Sequence, residues 1–451
     1  MFYNNALFLG VHMRYSWSSS LTYILVTAGA TIGFGATWRF PYLVGQNGGG
    51  AYVLVFILAM LLIGIPMILV ENVIGRRAHK NAVDAFDSKY QRKEISKAWK
   101  IVGYMGLIGC FGIIAYYMVL GGRVLVYITS IVLGNLDLTA PITKEITKGF
   151  YTEHISNSTW AIIFYTIVFV LLNYAVLVKG ISNGIEKAAK FLMPLLLICL
   201  IGVVARNLTL DGAYEGVRFY LYPDFSKITA ELFIQVLGQV FFALSLGFGV
   251  MITLSSYLNK QENLVKTATI TGIINTIIAL LAGFMIFPSL FTFGLEPDSG
   301  ERLVFEVLPI VFSKMYFGSA VAIGFFLLLL LAAFTTSITL YEPLITALQE
   351  KLGLSRTKAV SWVLILTFIA GNIPCILDDE IFNSFDFISG NIFFVLTALG
   401  AAIFVGWILG NDAKEELSNG FNNKKIINAW FYYVKFFIPF LILVVFVSGI
   451  F

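Results

Sequence analysis

Charge is scarce in this sequence. Asp, Glu, Lys and Arg together make up 12% of its 451 residues, whereas a soluble domain keeps about a quarter of its residues charged. Hydrophobic residues reach 58%, and the mean hydropathy is +0.86. The composition therefore excludes a water-soluble protein and predicts a membrane protein. The net charge of +4 is spread over loops and indicates no nucleic-acid partner.

Histidine, cysteine and nucleotide-binding motifs are also lacking. The three histidines lie in tails or loops, and the three cysteines all lie in apolar segments, which favours packing over a disulfide framework or a metal site. No ATP-binding motif is found, and neither a filter repeat nor a continuous polar lining suggests a channel. These absences argue against a membrane enzyme, an ATP-driven pump and a channel.

Long apolar runs dominate the sequence instead. A helix needs about 20 apolar residues to cross the hydrocarbon core, and unpaired backbone groups are too costly in lipid for other structures. We predict an all-α integral membrane protein, a single domain over 1–451, with about eleven transmembrane helices. The helices are expected at 21–44, 51–74, 101–133, 160–178, 190–206, 232–255, 267–289, 317–348, 359–375, 382–409 and 430–449.

Lys and Arg are distributed unevenly between the loops. Eight of them lie in the loop from Arg76 to Lys100, and alternate loops add more, whereas one opposite loop carries Asp378, Asp379 and Glu380. The positive-inside rule therefore predicts a multi-pass protein of the cell membrane with a cytoplasmic N-terminus.

Two of the predicted helices are interrupted by glycine at related positions. The first contains Gly33-Phe34-Gly35 and the sixth contains Gly247-Phe248-Gly249. Glycine disfavours helix, although a single triplet is common where membrane helices pack closely. Two interruptions at matching points of two halves favour a transporter binding site. An unwound turn frees carbonyls for a cation and offers backbone amides to an anion.

Motifs along nearly the whole chain then resemble one family. The segments at 38–42, 46–51, 64–76, 179–194, 238–249 and 331–343 are similar to those of the neurotransmitter:sodium symporters, especially the bacterial eleven-helix, leucine-transporter-like members. The resemblance implies two inverted five-helix repeats, about 16–206 and 230–409, with unwound first and sixth helices and an accessory helix at about 429–450. It also implies alternating access and sodium-coupled import of small neutral amino acids. A homodimer is compatible with it.

The resemblance implies one sodium site. Its ligands would be the carbonyls of Gly29, Ile32 and Ala332 and the hydroxyls of Thr335 and Thr336, and Na⁺ is a hard cation that prefers such neutral oxygens.

The family's other sodium site does not match. Ala36 and Ala243 stand where side-chain ligands belong, and a register anchored on Pro288 places Ile274 at a third ligand position, one residue from Asn275. This site is expected to be absent or rebuilt. Ala243 also removes a hydroxyl from the family's chloride site, so chloride dependence is not expected.

The resemblance also implies a substrate pocket. Tyr117 would bind the substrate carboxylate together with free amides near Phe34 and Gly35, and Phe248 would be the lid. The lining contains no acid or base, so a charged substrate side chain would be left unpaired at high cost. Hydrophobic or aromatic substrates are therefore expected. The side-chain subsite would comprise Ile113, Phe242, Ser245, Phe248, Thr336 and Leu340.

The resemblance also implies that charged residues act as gates. Arg39 and Asp386 would close the outer side, and Arg14 and Glu350 would close the cytoplasmic side, with Tyr257 beside them. Exposed pairs of this kind contribute little stability, which suits a gate that must open.

Three further charges lie at membrane depth, where ionisable residues are functional candidates by default. Glu71 is expected to brace the unwound sixth helix, and Arg123 either reaches the surface or pairs with an acid. Glu342 stands where a neutral amide is commoner in the family. An alternative function keeps the fold but makes it a proton-coupled or uncoupled carrier of amino acids or amines, with Glu342 or Glu71 as the titrating acid.

Overall fold

The computed structural model describes residues 16–87, 94–296 and 302–450. Over these residues the protein is a bundle of α-helices. In chain order they are α1 (Ser20–Thr31), α2 (Gly35–Gln46), α3 (Gly50–Ala78), α4 (Lys97–Val132), α5 (Lys144–Tyr151), α6 (Thr159–Leu177), α7 (Ile181–Leu208), α8 (Ala213–Leu221), α9 (Ala230–Ala243), α10 (Val250–Ser255), α11 (Leu264–Thr292), α12 (Leu303–Ser313), α13 (Gly318–Leu352), α14 (Arg356–Leu377), α15 (Asp379–Leu409), α16 (Asn411–Ser418) and α17 (Lys424–Ser448).

Nine of the described helices are long and apolar enough to cross a membrane. The helices α1 and α2 together make a further span that bends by 56°, and the shorter α9 and α10 follow each other as a second broken segment. The all-α membrane fold with broken first and sixth helices is therefore confirmed. The repeat boundaries at 16–206 and 230–409 stay a prediction.

Some of the helix ends differ from the predicted ones. Helix α7 begins nine residues before the predicted start at 190 because its first turns carry Glu186 and Lys187, which interrupt the apolar run. The short helices α5, α8, α12 and α16 were not predicted. They are too short to give a long apolar signal.

Left-handed backbone geometry ends the sixth helix at its break. Ser245, Gly247 and Gly249 have φ angles of 51°, 84° and 73°, a region that glycine enters without a steric penalty. A side chain at Gly247 would also collide with the carbonyl oxygen of Phe394. In the first helix, the break begins at Ile32, whose φ and ψ of −96° and 56° are not helical.

Packing brings the two breaks together at the centre of the bundle. Helix α1 lies against α7, α11 and α13, and α10 lies against α3. The Ser245 hydroxyl donates to the carbonyl oxygen of Ala30 at 2.9 Å. We use "inner" for the end of the bundle that carries the connections rich in Lys and Arg, and "outer" for the opposite end.

Candidate substrate and ion site

The two helix breaks enclose a cavity of about 20 Å³, which is room for about one water molecule. No residue of its wall carries a charge. Of the predicted substrate-binding residues, all but Phe34 line the cavity: Gly35, Ile113, Tyr117, Phe242, Ser245, Phe248, Thr336 and Leu340. The sequence analysis did not assign the rest of the wall, Ala30, Thr31 and Gly33. Ala30 and Thr31 end α1, and Gly33 lies in the break that follows, so the interruption itself was the available signal.

Tyr117 lies directly against the broken first helix. The backbone amide of Phe34 donates to the Tyr117 hydroxyl at 3.3 Å, and the two rings are 4.9 Å apart. Gly33 leaves room for this contact, because a Cβ atom there would collide with the Tyr117 hydroxyl and lie 2.8 Å from the Thr336 Oγ1. A hydroxyl and a freed helix amide therefore meet at one point, which is the arrangement that binds a carboxylate.

Glu71 braces the break of the sixth helix. Its side chain is fully buried, and its Oε1 accepts a hydrogen bond of 2.7 Å from the Gly247 amide. The structural role predicted for this acid is confirmed.

The residues predicted for the sodium site come together between α1 and α13. The Thr336 hydroxyl donates to the Gly29 carbonyl oxygen at 2.9 Å, and the Thr335 hydroxyl donates to the Ala332 carbonyl oxygen at 3.1 Å. Ile32 stands at the C-terminal end of α1, where the helix has just opened. The donor set consists of neutral carbonyl and hydroxyl oxygens, which fits a hard monovalent cation.

The side-chain amide of Asn275 lies where the family has its other sodium site. Asn275 is fully buried, and its Nδ2 donates to the carbonyl oxygens of Thr31 at 2.9 Å and Ala243 at 3.1 Å. The register that placed Ile274 here is therefore wrong by one residue. Asn275 joins the two helix breaks by hydrogen bonds, and its Oδ1 is buried without a hydrogen-bond partner among the described residues.

The comparisons with known proteins agree with this geometry. The profile of the sodium:neurotransmitter symporter family matches residues 14–150 and 142–451. The chain belongs to this family. It is therefore a sodium-dependent symporter and not an enzyme.

Individual relatives cover almost the whole chain. A sodium-dependent transporter of Haemophilus influenzae is 63% identical and covers 97% of this chain and 98% of its own. A sodium-dependent transporter of Bacillus subtilis, YhdH, is 36% identical over 96% of this chain and 97% of its own. The crystal structure of MhsT in complex with L-phenylalanine is 36% identical, with a TM-score of 0.87, and the match covers 97% of this chain and all of MhsT.

A cavity of about 430 Å³ lies on the outer side of this symporter, between α2, α9, α15 and α17, and we call it the outer vestibule. Phe242 lines both the vestibule and the central cavity, whereas Phe248 lines only the cavity and packs 4.4 Å from the Phe394 ring. Phe242 therefore lies between the two spaces, whereas the resemblance implied that Phe248 is the lid.

The predicted outer gate is only partly assembled. The Arg39 guanidinium lies 4.4 Å from the centroid of the Phe242 ring and interacts electrostatically with Asp386. The described contacts include no direct ion pair of 4 Å or less between these two residues. Arg39 therefore packs against Phe242, the residue that lies between the two spaces.

The inner side of the symporter is closed by a layer of contacts. The Trp17 indole donates to the Leu254 carbonyl oxygen at 2.9 Å, and its ring packs edge-on against Tyr257 at 6.0 Å. Glu350 accepts hydrogen bonds from the backbone and side chain of Asn81. Its predicted partner Arg14 lies outside the described residues.

Tyr257 reaches a buried ion pair that the sequence analysis missed. Its hydroxyl donates to Glu342 at 3.1 Å, and Glu342 forms two hydrogen bonds with Arg356, at 2.9 and 2.7 Å. Glu342 is fully buried, and the side chain of Arg356 is 18% exposed. Arg356 also donates to the Leu177 carbonyl oxygen at 2.8 Å. The available signal was an acid in an apolar helix, which requires a cation nearby.

Arg123 takes the second of its two predicted options. Its guanidinium lies 3.7 Å from the Asp379 carboxylate and 5.0 Å from the centroid of the Phe382 ring. Both partners are on α15, so Arg123 joins the outer end of this helix to α4.

Proposed function

We propose that this symporter imports small neutral amino acids with hydrophobic or aromatic side chains, coupled to one sodium ion. The observation that carries the proposal is the central cavity. Its wall has one polar corner, formed by Tyr117 and the freed amides of the first-helix break, and otherwise apolar groups with a few hydroxyls. An α-carboxylate suits the polar corner, and a side chain without charge suits the remainder. MhsT, solved in complex with L-phenylalanine, supports the same substrate class.

The ion stoichiometry follows from the two candidate sites. The oxygens at Gly29, Thr335 and Thr336 suit Na⁺. At the other site Ala36 and Ala243 supply no side-chain oxygen, and Asn275 directs its N–H groups at the two carbonyls. We therefore propose one Na⁺ per cycle and no chloride requirement. Proton coupling has less support, because Glu342 is paired with Arg356 and Glu71 is bonded to the Gly247 amide.

The membrane orientation is part of the proposal. The Lys- and Arg-rich connections support a cell membrane location with a cytoplasmic N-terminus. During the transport cycle the central cavity would open alternately through the outer vestibule and through the inner layer.

Uptake in proteoliposomes tests the proposed function. Gradients of Na⁺, H⁺ and Cl⁻ are imposed separately across a panel of radiolabelled amino acids and amines. We expect a Na⁺ gradient alone to drive uptake of apolar amino acids, with a Hill coefficient for Na⁺ near one. Uptake driven by a proton gradient without Na⁺ would contradict the proposed coupling, and preferential uptake of charged or amine substrates would contradict the proposed substrate.

The Tyr117 hydroxyl supplies a second test. A hydrogen bond to a charged group contributes about 1.5–3 kcal/mol, so Tyr117→Phe is expected to weaken substrate binding by about tenfold or more. Equilibrium binding of the best substrate measures the change. The control is Tyr127→Phe, which removes a hydroxyl of the same helix that donates to the Phe305 carbonyl oxygen, away from the cavity. Equal dissociation constants for wild type and Tyr117→Phe would show that the carboxylate is held elsewhere.

A further inference from the structure

A cluster of lysines and aromatic rings lies where α15, α16 and α17 meet at the inner end. The Lys435 ammonium lies 4.4 Å from the centroid of Trp407, 5.5 Å from Phe436 and 5.9 Å from Phe431. The Lys414 ammonium lies 4.5 Å from the centroid of Phe431. Both charges therefore lie within 6 Å of the centroid of the same ring. We refer to Lys414, Lys435, Trp407, Phe431 and Phe436 as the lysine–aromatic cluster.

The backbone fixes the position of Lys435. The Trp407 indole donates to the Lys435 carbonyl oxygen at 3.1 Å, and a Cβ atom at Gly406 would come within 2.7 Å of the Lys435 Cα. The two helices thus touch at this point, and each has a π-helical turn there, over Phe404–Leu409 and Tyr433–Phe437. The fold therefore fixes the backbone of Lys435 against α15.

Neither lysine has a carboxylate within 4 Å in the part of the chain that the structure describes. Other lysines at the same end do: Lys100 contacts Asp84 and Asp87, and Lys190 contacts Glu186, all at 2.7 Å. An aromatic face attracts an ammonium but does not accept its three hydrogen bonds as an oxygen would. The lysine–aromatic cluster therefore offers two partly buried positive charges to an anion from outside the chain.

The surroundings indicate which anion. Trp407 and Phe436 are each 56% exposed on the membrane-facing side, so apolar chains would lie against them. Lys414 belongs to α16, which a buried ion pair between Glu416 and Arg76 attaches to the inner end of α3. The positive-inside rule assigns this end to the cytoplasm, and basic pockets between helices on that side bind anionic lipid headgroups.

We infer that the lysine–aromatic cluster binds an anionic phospholipid of the inner leaflet. The lipid phosphate lies between Lys414 and Lys435, and the acyl chains run along Trp407 and Phe436. A phospholipid fits better than a free phosphate ion because the same surface offers charge to the headgroup and exposed rings to the chains.

Native mass spectrometry of the purified full-length protein tests this site. The protein is titrated with phosphatidylglycerol, with phosphatidylcholine of the same acyl chains, and with inorganic phosphate. We expect phosphatidylglycerol to bind more tightly than phosphatidylcholine. Lys414→Gln with Lys435→Gln should reduce the affinity for phosphatidylglycerol by about tenfold or more, the effect of two lysines near an anionic surface. Lys435→Arg should retain it.

The matched control is Lys187→Gln with Lys260→Gln, which removes the same charge from exposed inner positions outside the cluster. This variant should bind phosphatidylglycerol like the wild type. Lys414→Gln alone, on the short helix α16, provides a test if the double variant does not fold, with an expected loss of several-fold. An unchanged preference in both cluster variants, or an equal loss in the control, would overturn the proposal. Displacement of the lipid by inorganic phosphate alone would also overturn it, since the site would then belong to a free anion.

Discussion

Sodium-driven uptake is expected to be lost when Thr335 and Thr336 are both replaced by alanine. The two hydroxyls would be two of the five oxygens around the ion, and the Thr336 hydroxyl is the one that reaches across to Gly29 on the first helix. A hydrogen bond or similar contact to a charged group contributes about 1.5–3 kcal/mol. The loss of two such contacts should weaken sodium binding by about a hundredfold or more.

The sodium dependence of uptake measures this effect. The double variant Thr335→Ser, Thr336→Ser is the matched control, because it shortens both side chains but keeps both hydroxyl groups, and it should retain sodium-driven uptake. Circular dichroism and a thermal melt establish that the alanine variant is folded. If the alanine variant takes up substrate at the sodium concentrations that suffice for the wild type, the assignment of the ion to these residues is wrong.

Replacement of Arg356 by glutamine is expected to reduce uptake by about tenfold or more. The change removes the cation beside Glu342, which is fully buried. Breaking a buried ion pair by removing one partner costs about 3–5 kcal/mol, because a charge is left uncompensated.

The double variant Glu342→Gln, Arg356→Gln separates charge from shape. Two neutral amides can hydrogen-bond to each other and to Tyr257, so this variant should recover most of the uptake. Initial uptake rates compare the wild type with the single and double variants. If the single and double variants take up substrate at the same reduced rate, the uncompensated charge is not the cause of the loss.

The cavity could be predicted from the sequence because its walls come from the two glycine interruptions and from regular helices. Gly35, Tyr117, Ser245 and Thr336 were all assigned from motifs, and they line one cavity. The assignment failed where position along a helix had to be counted from a distant anchor. Asn275 lies 13 residues before Pro288, and an error of one residue turns a side chain by about 100°. An assignment that is off by one residue therefore places the ligand position on a different face of the helix.

Partners across the fold were harder to predict than positions within a helix. Glu342 in an apolar helix required a cation, but Lys351, Arg356 and Lys358 all follow it closely in the sequence. Only the turn between α13 and α14 brings the Arg356 guanidinium back to Glu342. The direction of the Phe248 side chain was also hard to predict, since the backbone between Ser245 and Gly249 is not helical.

The size of the central cavity has a kinetic consequence. A space of about 20 Å³ does not admit an amino acid, so the wall must move before the substrate can enter, with Phe242 and Arg39 at the outer boundary. Association then requires the opened form, and its apparent rate is reduced by the fraction of molecules that are open. At high substrate concentration the observed association rate should therefore level off at the opening rate instead of rising in proportion to concentration. Such a plateau would show that opening of the pocket, and not diffusion of the substrate, limits how fast the symporter is loaded.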